Sequence, residues 1–293
     1  MKPVASLRFR KRCGRSQSWQ FCVADQCWHQ TSLVILEFFE KQSSWKQQIL
    51  EDKTTFLDVS HSAVSSERIG NVLCITVDDG RANAFSTSLL VALSQELAEA
   101  EADSEIGSVV LAGNQKVFFA GFDLDVINSG DPKAITEMGT AGGAFIRQVY
   151  GASVPVVAAS TGHAVAAGAL LLCGCDYRVG VDGPVKIGLN EVAIALTLPK
   201  WALLIAGERL SKRYLQVSVA NAQIFDGEGA VDAGFVDEVT DANQVLNRAL
   251  EVAQDFADRL DPKAYAATVR SLRGDLLNKM DAAVASDRAA AGL

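Results

Sequence analysis

Residues 155–178 have the sequence PVVAASTGHAVAAGALLLCGCDYR, which sets the pattern for the regular part of the chain. A β-rich run at 154–159 is followed by a polar turn, a short apolar segment at 166–174 and another β-rich run at 177–181. The polar turn at 160–163 breaks the apolar run before it reaches the roughly 18 residues that a membrane-spanning helix needs. We therefore predict a buried strand–helix–strand unit.

The same alternation continues on both sides of this unit. Leucines at 89, 90, 93 and 97 have the spacing of one helix face. After residue 199 the pattern is mostly helical, and residues 261–293 are predicted to form C-terminal helices. The other predicted elements are strands at 72–77 and 108–112, helices at 86–102 and 134–149, and a loop-to-helix segment at 121–126. Alternating strands and helices indicate an α/β protein with a mainly parallel sheet.

Composition excludes several classes of protein. The 293 residues are 49% hydrophobic and 21% charged, which is typical of a globular protein. A net charge of −8 argues against a nucleic-acid partner, and no run is apolar enough for a membrane partner. The six cysteines have no C-x-x-C spacing and do not cluster with the histidines, so we expect reduced thiols and no metal site.

Residues 1–65 differ from the rest and are treated as a leader. Six basic residues occur before position 16, whereas the first acidic residue is Asp25. This start fits an organelle transit peptide, a basic arm, or an over-extended start of the coding sequence, and we favour the last. Location follows from this choice: cytoplasmic for a bacterial protein, or the mitochondrial matrix if the leader is genuine.

Four short segments together resemble the crotonase (enoyl-CoA hydratase/isomerase) superfamily over residues 66–260. They are RANAFS at 81–86, FFAGFDL at 118–124, the stretch at 155–178, and GLNEV at 188–192. The resemblance implies a crotonase (ClpP-like) fold of repeated ββα units with a C-terminal helical region for oligomerisation. It also implies an acyl-CoA substrate, no cofactor besides that thioester, and a homotrimer or a hexamer made of two trimers.

The resemblance assigns an oxyanion hole to the backbone N–H groups of Phe122 and Ala167. Two such donors stabilise an enolate oxygen, and the N-terminus of a helix adds partial positive charge. Many members of the family have glycine at the position of Ala167. The remaining residues that we expect to bind substrate are Ala82, Asn83, Ala84, Ala120, Gly121, Asp123, Leu124, Gly168 and Asn190. Asp123 is also expected to cap the next helix.

Glu191 is the predicted catalytic base. Burial would raise its pKa toward the working range of a general base. Without the family context, a surface glutamate at a strand end would be the better interpretation. The apolar residues expected to desolvate it are Val185, Ile187, Leu189, Val192, Ile194 and Leu196.

The position of Leu170 separates two reactions. Hydratases of the family use two glutamates, and the first of them falls at Leu170, which cannot activate water. One glutamate resembles the Δ3,Δ2-enoyl-CoA isomerases, which convert 3-enoyl-CoA into trans-2-enoyl-CoA in fatty acid β-oxidation through a dienolate. An enoyl-CoA hydratase and a non-catalytic acyl-CoA-binding homologue remain the alternatives.

Several other charged or polar residues have open roles. His163 is expected to be structural rather than catalytic, and Asp176 is expected to be structural as well. Basic residues that could contact the phosphates of coenzyme A, or simply be solvated, are Arg81, Lys116, Arg270, Arg273 and Lys279.

Overall fold

The computed structural model describes residues 63–293, and the predictions for the leader at 1–62 lie outside this range. No helix within the described range is long and apolar enough to cross a membrane.

The main sheet has six strands in the order β1-β2-β3-β5-β7-β9. The β1–β2 pair is antiparallel and turns at Gly70, and every other pair is parallel, as predicted. Strands β3 and β5 are buried on both faces, which is usual for a parallel sheet covered by helices. The strands are β1 (Val64–Ile69), β2 (Val72–Val77), β3 (Ser108–Ala112), β5 (Val156–Ser160), β7 (Tyr177–Val181) and β9 (Glu238–Thr240).

A second, smaller sheet was not predicted strand by strand. Its three parallel strands are β4 (Val117–Phe119), β6 (His163–Val165) and β8 (Ile187–Gly188), in that order. Parallel strands end at a common edge, so the residues that follow β4, β6 and β8 come together there. Three of the four family-like segments contribute to this edge.

The helices surround the main sheet. Side chains of Ser86, Asp123, Asp131 and Asp261 cap four of them by accepting N–H groups of the first turn, and the prediction for Asp123 is confirmed. The helices are α1 (Thr87–Ala102), α2 (Leu124–Asn128), α3 (Pro132–Tyr150), α4 (Ala167–Gly174), α5 (Lys200–Arg209), α6 (Leu215–Val219), α7 (Gly227–Ala233), α8 (Val245–Arg259) and α9 (Pro262–Ala290). The region predicted as C-terminal helices, 261–293, contains the single long helix α9.

Two apolar clusters cover the two faces of the main sheet. Helix α8 packs against β3, β5 and β7 on one face. The larger cluster includes the predicted leucine face of α1, parts of α3 and α4, and the buried side of α9. The thiols of Cys74, Cys173 and Cys175 are free and buried, and burial raises the pKa of each.

A buried ion pair holds α9 on the core. A guanidinium nitrogen of Arg273 lies 2.7 Å from Asp176 Oδ1, and both side chains are only 11% exposed. Arg273 also donates to the carbonyl oxygen of Tyr150 at 2.8 Å, and its guanidinium lies 4.5 Å from the centre of the Tyr150 ring. Asp176 accepts the N–H of Val156 as well. Asp176 is structural, as expected, whereas the suggestion that Arg273 contacts phosphates is wrong because its charge is already paired inside the protein.

Candidate active site

The loop after β4 is fixed by backbone hydrogen bonds and by a stacked ring. Phe85 N–H donates to Gly121 O at 2.8 Å, and Asp123 N–H donates to Phe85 O at 3.1 Å. The ring of Phe122 packs so closely against α3 that a Cβ atom on Gly142 would lie 2.5 Å from it. Phe122 N–H, between these fixed points, has no acceptor among residues 63–293.

The start of α4 provides a second unpaired amide. Ala166 N–H donates to Gly188 O at 2.9 Å, and Ala166 O accepts the N–H groups of Ala169 and Leu170. Ala166 has a φ of +52°, an unusual value for alanine, which turns the chain sharply into the helix. Ala167 is the first helical residue, where an N–H has no partner within its helix. Its N–H also has no acceptor elsewhere in the described chain.

The two segments lie against each other because their residues are small. Gly121 has a φ of +93°, and a Cβ atom on it would lie 2.9 Å from Ala166 Cβ and 3.6 Å from Ala167 N. A Cβ atom on Gly168 would lie 2.0 Å from Phe119 O. The unpaired amides of Phe122 and Ala167 therefore belong to adjoining segments, as an oxyanion hole requires. That both amides point at a single oxygen stays a prediction.

Glu191 follows β8 at the same edge of the small sheet. Its Oε2 atom is buried and has no hydrogen-bond partner in the described part of the chain. Burial raises the pKa of Glu191 from 4.5 to about 6, although a hydrogen bond from its own backbone partly opposes this. Oδ1 of the neighbouring Asn190 is likewise buried without a described partner. An unpaired buried carboxyl group is costly, and such groups are concentrated at functional sites.

The expected source of this burial is only partly correct. Ile187 and Leu189 are fully buried, but Val192, Ile194 and Leu196 are exposed. Glu191 is therefore desolvated from the core side, while the apolar residues after it face outward. The sequence contained these apolar residues but gave no sign of which side they would cover.

Leu170 lies one turn after Ala167 on α4 and is only 1% exposed. A leucine in this position presents apolar surface and has no group that can bind or deprotonate water. In the described chain, Glu191 is the one family-like catalytic carboxylate at this edge.

Asn83 connects two of the family-like segments. Its Nδ2 donates to the carbonyl oxygens of Val77, Val117 and Phe118 at 2.9, 3.2 and 3.1 Å, and its Oδ1 accepts Asp79 N–H. The side chain is fully buried, so only the backbone of the 82–84 segment is left to meet a substrate. Ala82 O accepts Ala120 N–H at 3.1 Å, which joins this segment to the loop after β4.

The remaining polar residues near the site have simple roles. His163 Nδ1 accepts Lys186 N–H at 2.9 Å and connects β6 to the start of β8, which fits the structural role expected of it. Arg81 and Lys116 are exposed and form no ion pair with a described carboxylate. Leu124 is 60% exposed at the start of α2.

Comparison with known proteins agrees with this arrangement. The model of the enoyl-CoA hydratase/isomerase family matches residues 67–290. The chain belongs to the enoyl-CoA hydratase/isomerase family. The resemblance seen in the four segments, and the crotonase fold expected from it, are thereby confirmed.

The relatives of this family member carry both reaction names. The 2,3-dehydroadipyl-CoA hydratase of Escherichia coli is 30% identical over 74% of this chain and 84% of its own length. The human mitochondrial enoyl-CoA delta isomerase 1 is 30% identical over 57% of this chain and 56% of its own.

A solved structure from Mycobacterium tuberculosis shows the same ambiguity. The probable enoyl-CoA hydratase EchA3 has a TM-score of 0.75 and 37% identity, over 79% of this chain and 97% of its own. A second, apo structure of the same protein calls it an enoyl-CoA isomerase, with a TM-score of 0.73 and 36% identity, over 78% of this chain and 98% of its own. The family is therefore shown, and it comprises enzymes of acyl-CoA chemistry, whereas the reaction of this chain has to be argued from its own residues.

Proposed function

We propose that this protein isomerises 3-enoyl-CoA to trans-2-enoyl-CoA, with Glu191 as its only proton-transferring group. The observation that carries the proposal is the buried, unpartnered Glu191 carboxyl, whose pKa is raised to about 6, with the apolar Leu170 in place of a second acid. A base with a pKa near the working pH is suited to both accepting and returning a proton.

The proposed reaction needs no water and no redox partner. Glu191 removes a proton from C2 of the 3-enoyl thioester, and the electron pair moves into the carbonyl group to form a dienolate. The N–H groups of Phe122 and Ala167 stabilise the negative oxygen. The protonated Glu191 then returns the proton to C4, the carbonyl re-forms, and the double bond lies between C2 and C3. Both proton positions belong to one substrate, so a single carboxyl group is sufficient.

Hydration of 2-enoyl-CoA is the second candidate. The hydratase names among the relatives favour it, and Glu191 occupies the second of the two hydratase glutamates. Leu170 argues against it because nothing at that position can hold or activate the attacking water. A non-catalytic acyl-CoA-binding role is less well supported, since it would leave the cost of burying Glu191 without a function.

Product analysis with the purified full chain distinguishes these functions. The panel contains a 3-enoyl-CoA, the matching trans-2-enoyl-CoA and the matching 3-hydroxyacyl-CoA, and every product is identified by chromatography. We expect the two enoyl thioesters to interconvert with little 3-hydroxyacyl-CoA. Fast formation of 3-hydroxyacyl-CoA with slow isomerisation would reverse the assignment. Thioester binding without any turnover would support the non-catalytic role.

We further propose that the chain works as a homotrimer or as a dimer of trimers, as the family resemblance implies, in fatty acid β-oxidation. Light scattering during size exclusion should then give a mass near three or six times the 31.2 kDa of one chain. A stable monomer would contradict the proposed assembly without affecting the proposed chemistry.

A further inference from the structure

Four exposed apolar residues directly follow the groups assigned to catalysis. Val192, Ile194 and Leu196 are 46%, 50% and 37% exposed, and they come immediately after Glu191. Leu124 is 60% exposed and stands two residues after Phe122. We refer to these four residues as the apolar rim. Isolated exposed apolar residues are ordinary on protein surfaces, but a group of them beside a catalytic carboxyl calls for a ligand.

The local backbone keeps the rim next to Glu191. The N–H groups of Ile194 and Leu196 both donate to the Glu191 carbonyl oxygen, at 3.1 and 2.9 Å. Ala195 has a φ of +62° and closes this single turn. The segment is thus folded back on the catalytic residue, and its apolar side chains stay at the edge of the small sheet.

The rim also lacks charge. Between Lys186 and Lys200, Glu191 is the only charged residue, so the surface beside the carboxyl has no group that would favour a polar or ionic ligand. On the other side of the site, α2 begins at Leu124 and buries none of its residues. Its apolar first residue is therefore available to a ligand that leaves the oxyanion loop.

We infer that the apolar rim binds the hydrocarbon tail of the acyl group, and that the preferred substrates carry acyl chains of about eight carbons or more. This inference rests on the proposed function. With the carbonyl oxygen at Phe122 and Ala167, and with C2 and C4 within reach of Glu191, the carbons beyond C4 continue past the carboxyl group. A four-carbon acyl group ends there and leaves the rim in water, whereas a longer chain covers it.

The expected effect is a steady gain of affinity with chain length. A fully buried methylene group contributes about 0.8 kcal/mol, so each methylene that reaches the half-open rim should tighten binding by about twofold to fourfold. Coenzyme A and butyryl-CoA should therefore bind more weakly than octanoyl- and decanoyl-CoA.

The experiment is a calorimetric titration of the full chain with coenzyme A and with saturated butyryl-, hexanoyl-, octanoyl- and decanoyl-CoA, which cannot react. The variants are Ile194→Ser and Val192→Ser. The matched control is Val91→Ser, at a residue that is 40% exposed on α1 outside the rim. We expect both rim variants to flatten the dependence on chain length while leaving butyryl-CoA affinity within about twofold, and the control to preserve it.

Three outcomes would overturn the inference. Equal affinity for butyryl- and decanoyl-CoA in the unaltered protein would refute the rim as a tail site while keeping the proposed function. An unchanged chain-length dependence in Ile194→Ser, together with a lower mass by light scattering, would assign the rim to contacts between copies of the chain. If no acyl-CoA binds at all, the proposed function fails along with the inference.

Discussion

Glu191 combines a structural cost with a chemical use. Its Oε2 atom is buried without a described partner, and the raised pKa of about 6 reports how unfavourable the ionised form is in the fold. The same property makes the carboxylate a stronger base than an exposed glutamate. Activity and stability are therefore expected to depend on this residue in opposite directions.

The first prediction concerns turnover. Glu191→Gln keeps nearly the same volume but cannot accept a proton, so the isomerisation rate should fall by about 10²–10⁴-fold. Affinity for a saturated acyl-CoA should stay within a few-fold, because the oxyanion amides are unchanged. Steady-state rates and calorimetry measure the two effects, and Glu228→Gln, at an exposed residue of α7, is the control. Full activity in Glu191→Gln would return Glu191 to an ordinary structural glutamate.

The second prediction concerns pH. The folded-state pKa of Glu191 lies above its ordinary value of 4.5, so between pH 4.5 and about 6 the folded state holds a proton that the unfolded state has lost. This residue's contribution to stability is therefore complete below pH 4.5 and falls as the pH rises through 6. At pH 8, Glu191→Gln should be more stable than the unaltered protein by up to about 2 kcal/mol.

Urea unfolding of both proteins at pH 4.5 and pH 8, at one protein concentration, measures this difference. The advantage of Glu191→Gln should shrink toward zero at the lower pH. The isomerisation rate of the unaltered protein should show the corresponding base, with an inflection near pH 6 and less activity below it. An equal stability difference at both pH values would mean that the carboxyl is not desolvated as described.

At the scale of elements, the sequence predicted the long strands and helices well. The leucine spacing of α1 and the β-rich runs of β2, β3 and β7 have strong periodic patterns, and their boundaries lie within a residue of the prediction. The small sheet has strands of two or three residues, which are too short to show any period. Those strands were accessible only through the motifs that surround them.

The site was predictable for the same reason and to the same extent. The family-like segments identified Phe122, Ala167 and Glu191, but not the environment of each. Asn83 is an example: its motif suggested contact with substrate, whereas its buried amide holds three carbonyl oxygens of the protein. Long-range hydrogen bonds of this kind depend on tertiary packing, which one sequence does not reveal.

The third prediction tests the close approach of β4's loop to α4. Gly121→Ala would place a methyl group 2.9 Å from Ala166 Cβ, beside the amide of Ala167, so it should separate the two amides. We expect at least a tenfold loss of isomerisation. Gly130→Ala is a matched control, because Gly130 also has a positive φ, +68°, but has nothing within 4 Å of the new Cβ atom. Both variants carry the backbone strain, and only one crowds the site. Equal losses in the two would remove the oxyanion argument.

At the scale of the whole molecule, α9 is attached to the core by packing and by one buried ion pair. The helix runs along α3 and α5, and Arg273 reaches in to Asp176 at the junction of α4 and β7. Asp176 also binds the start of β5 through Val156 N–H. One carboxylate thus joins the C-terminal helix to the strand–helix–strand unit that ends at the site.

The last prediction compares this buried pair with an exposed one. Arg273→Met should lower the free energy of unfolding by about 3 kcal/mol or more, because it leaves the 11%-exposed Asp176 without its counter-charge and the Tyr150 carbonyl without its donor. Arg259→Gln removes an ion pair to Asp255 in which both side chains are more than half exposed, and it should cost less than about 1 kcal/mol. Urea unfolding measures both. The double variant Arg273→Met/Asp176→Asn should recover part of the loss, since the unpaired buried charge is then gone and methionine can still pack against Tyr150. If the single Arg273 variant were no less stable than the Arg259 variant, α9 would be held by apolar packing alone, and the ion pair would be incidental to the fold.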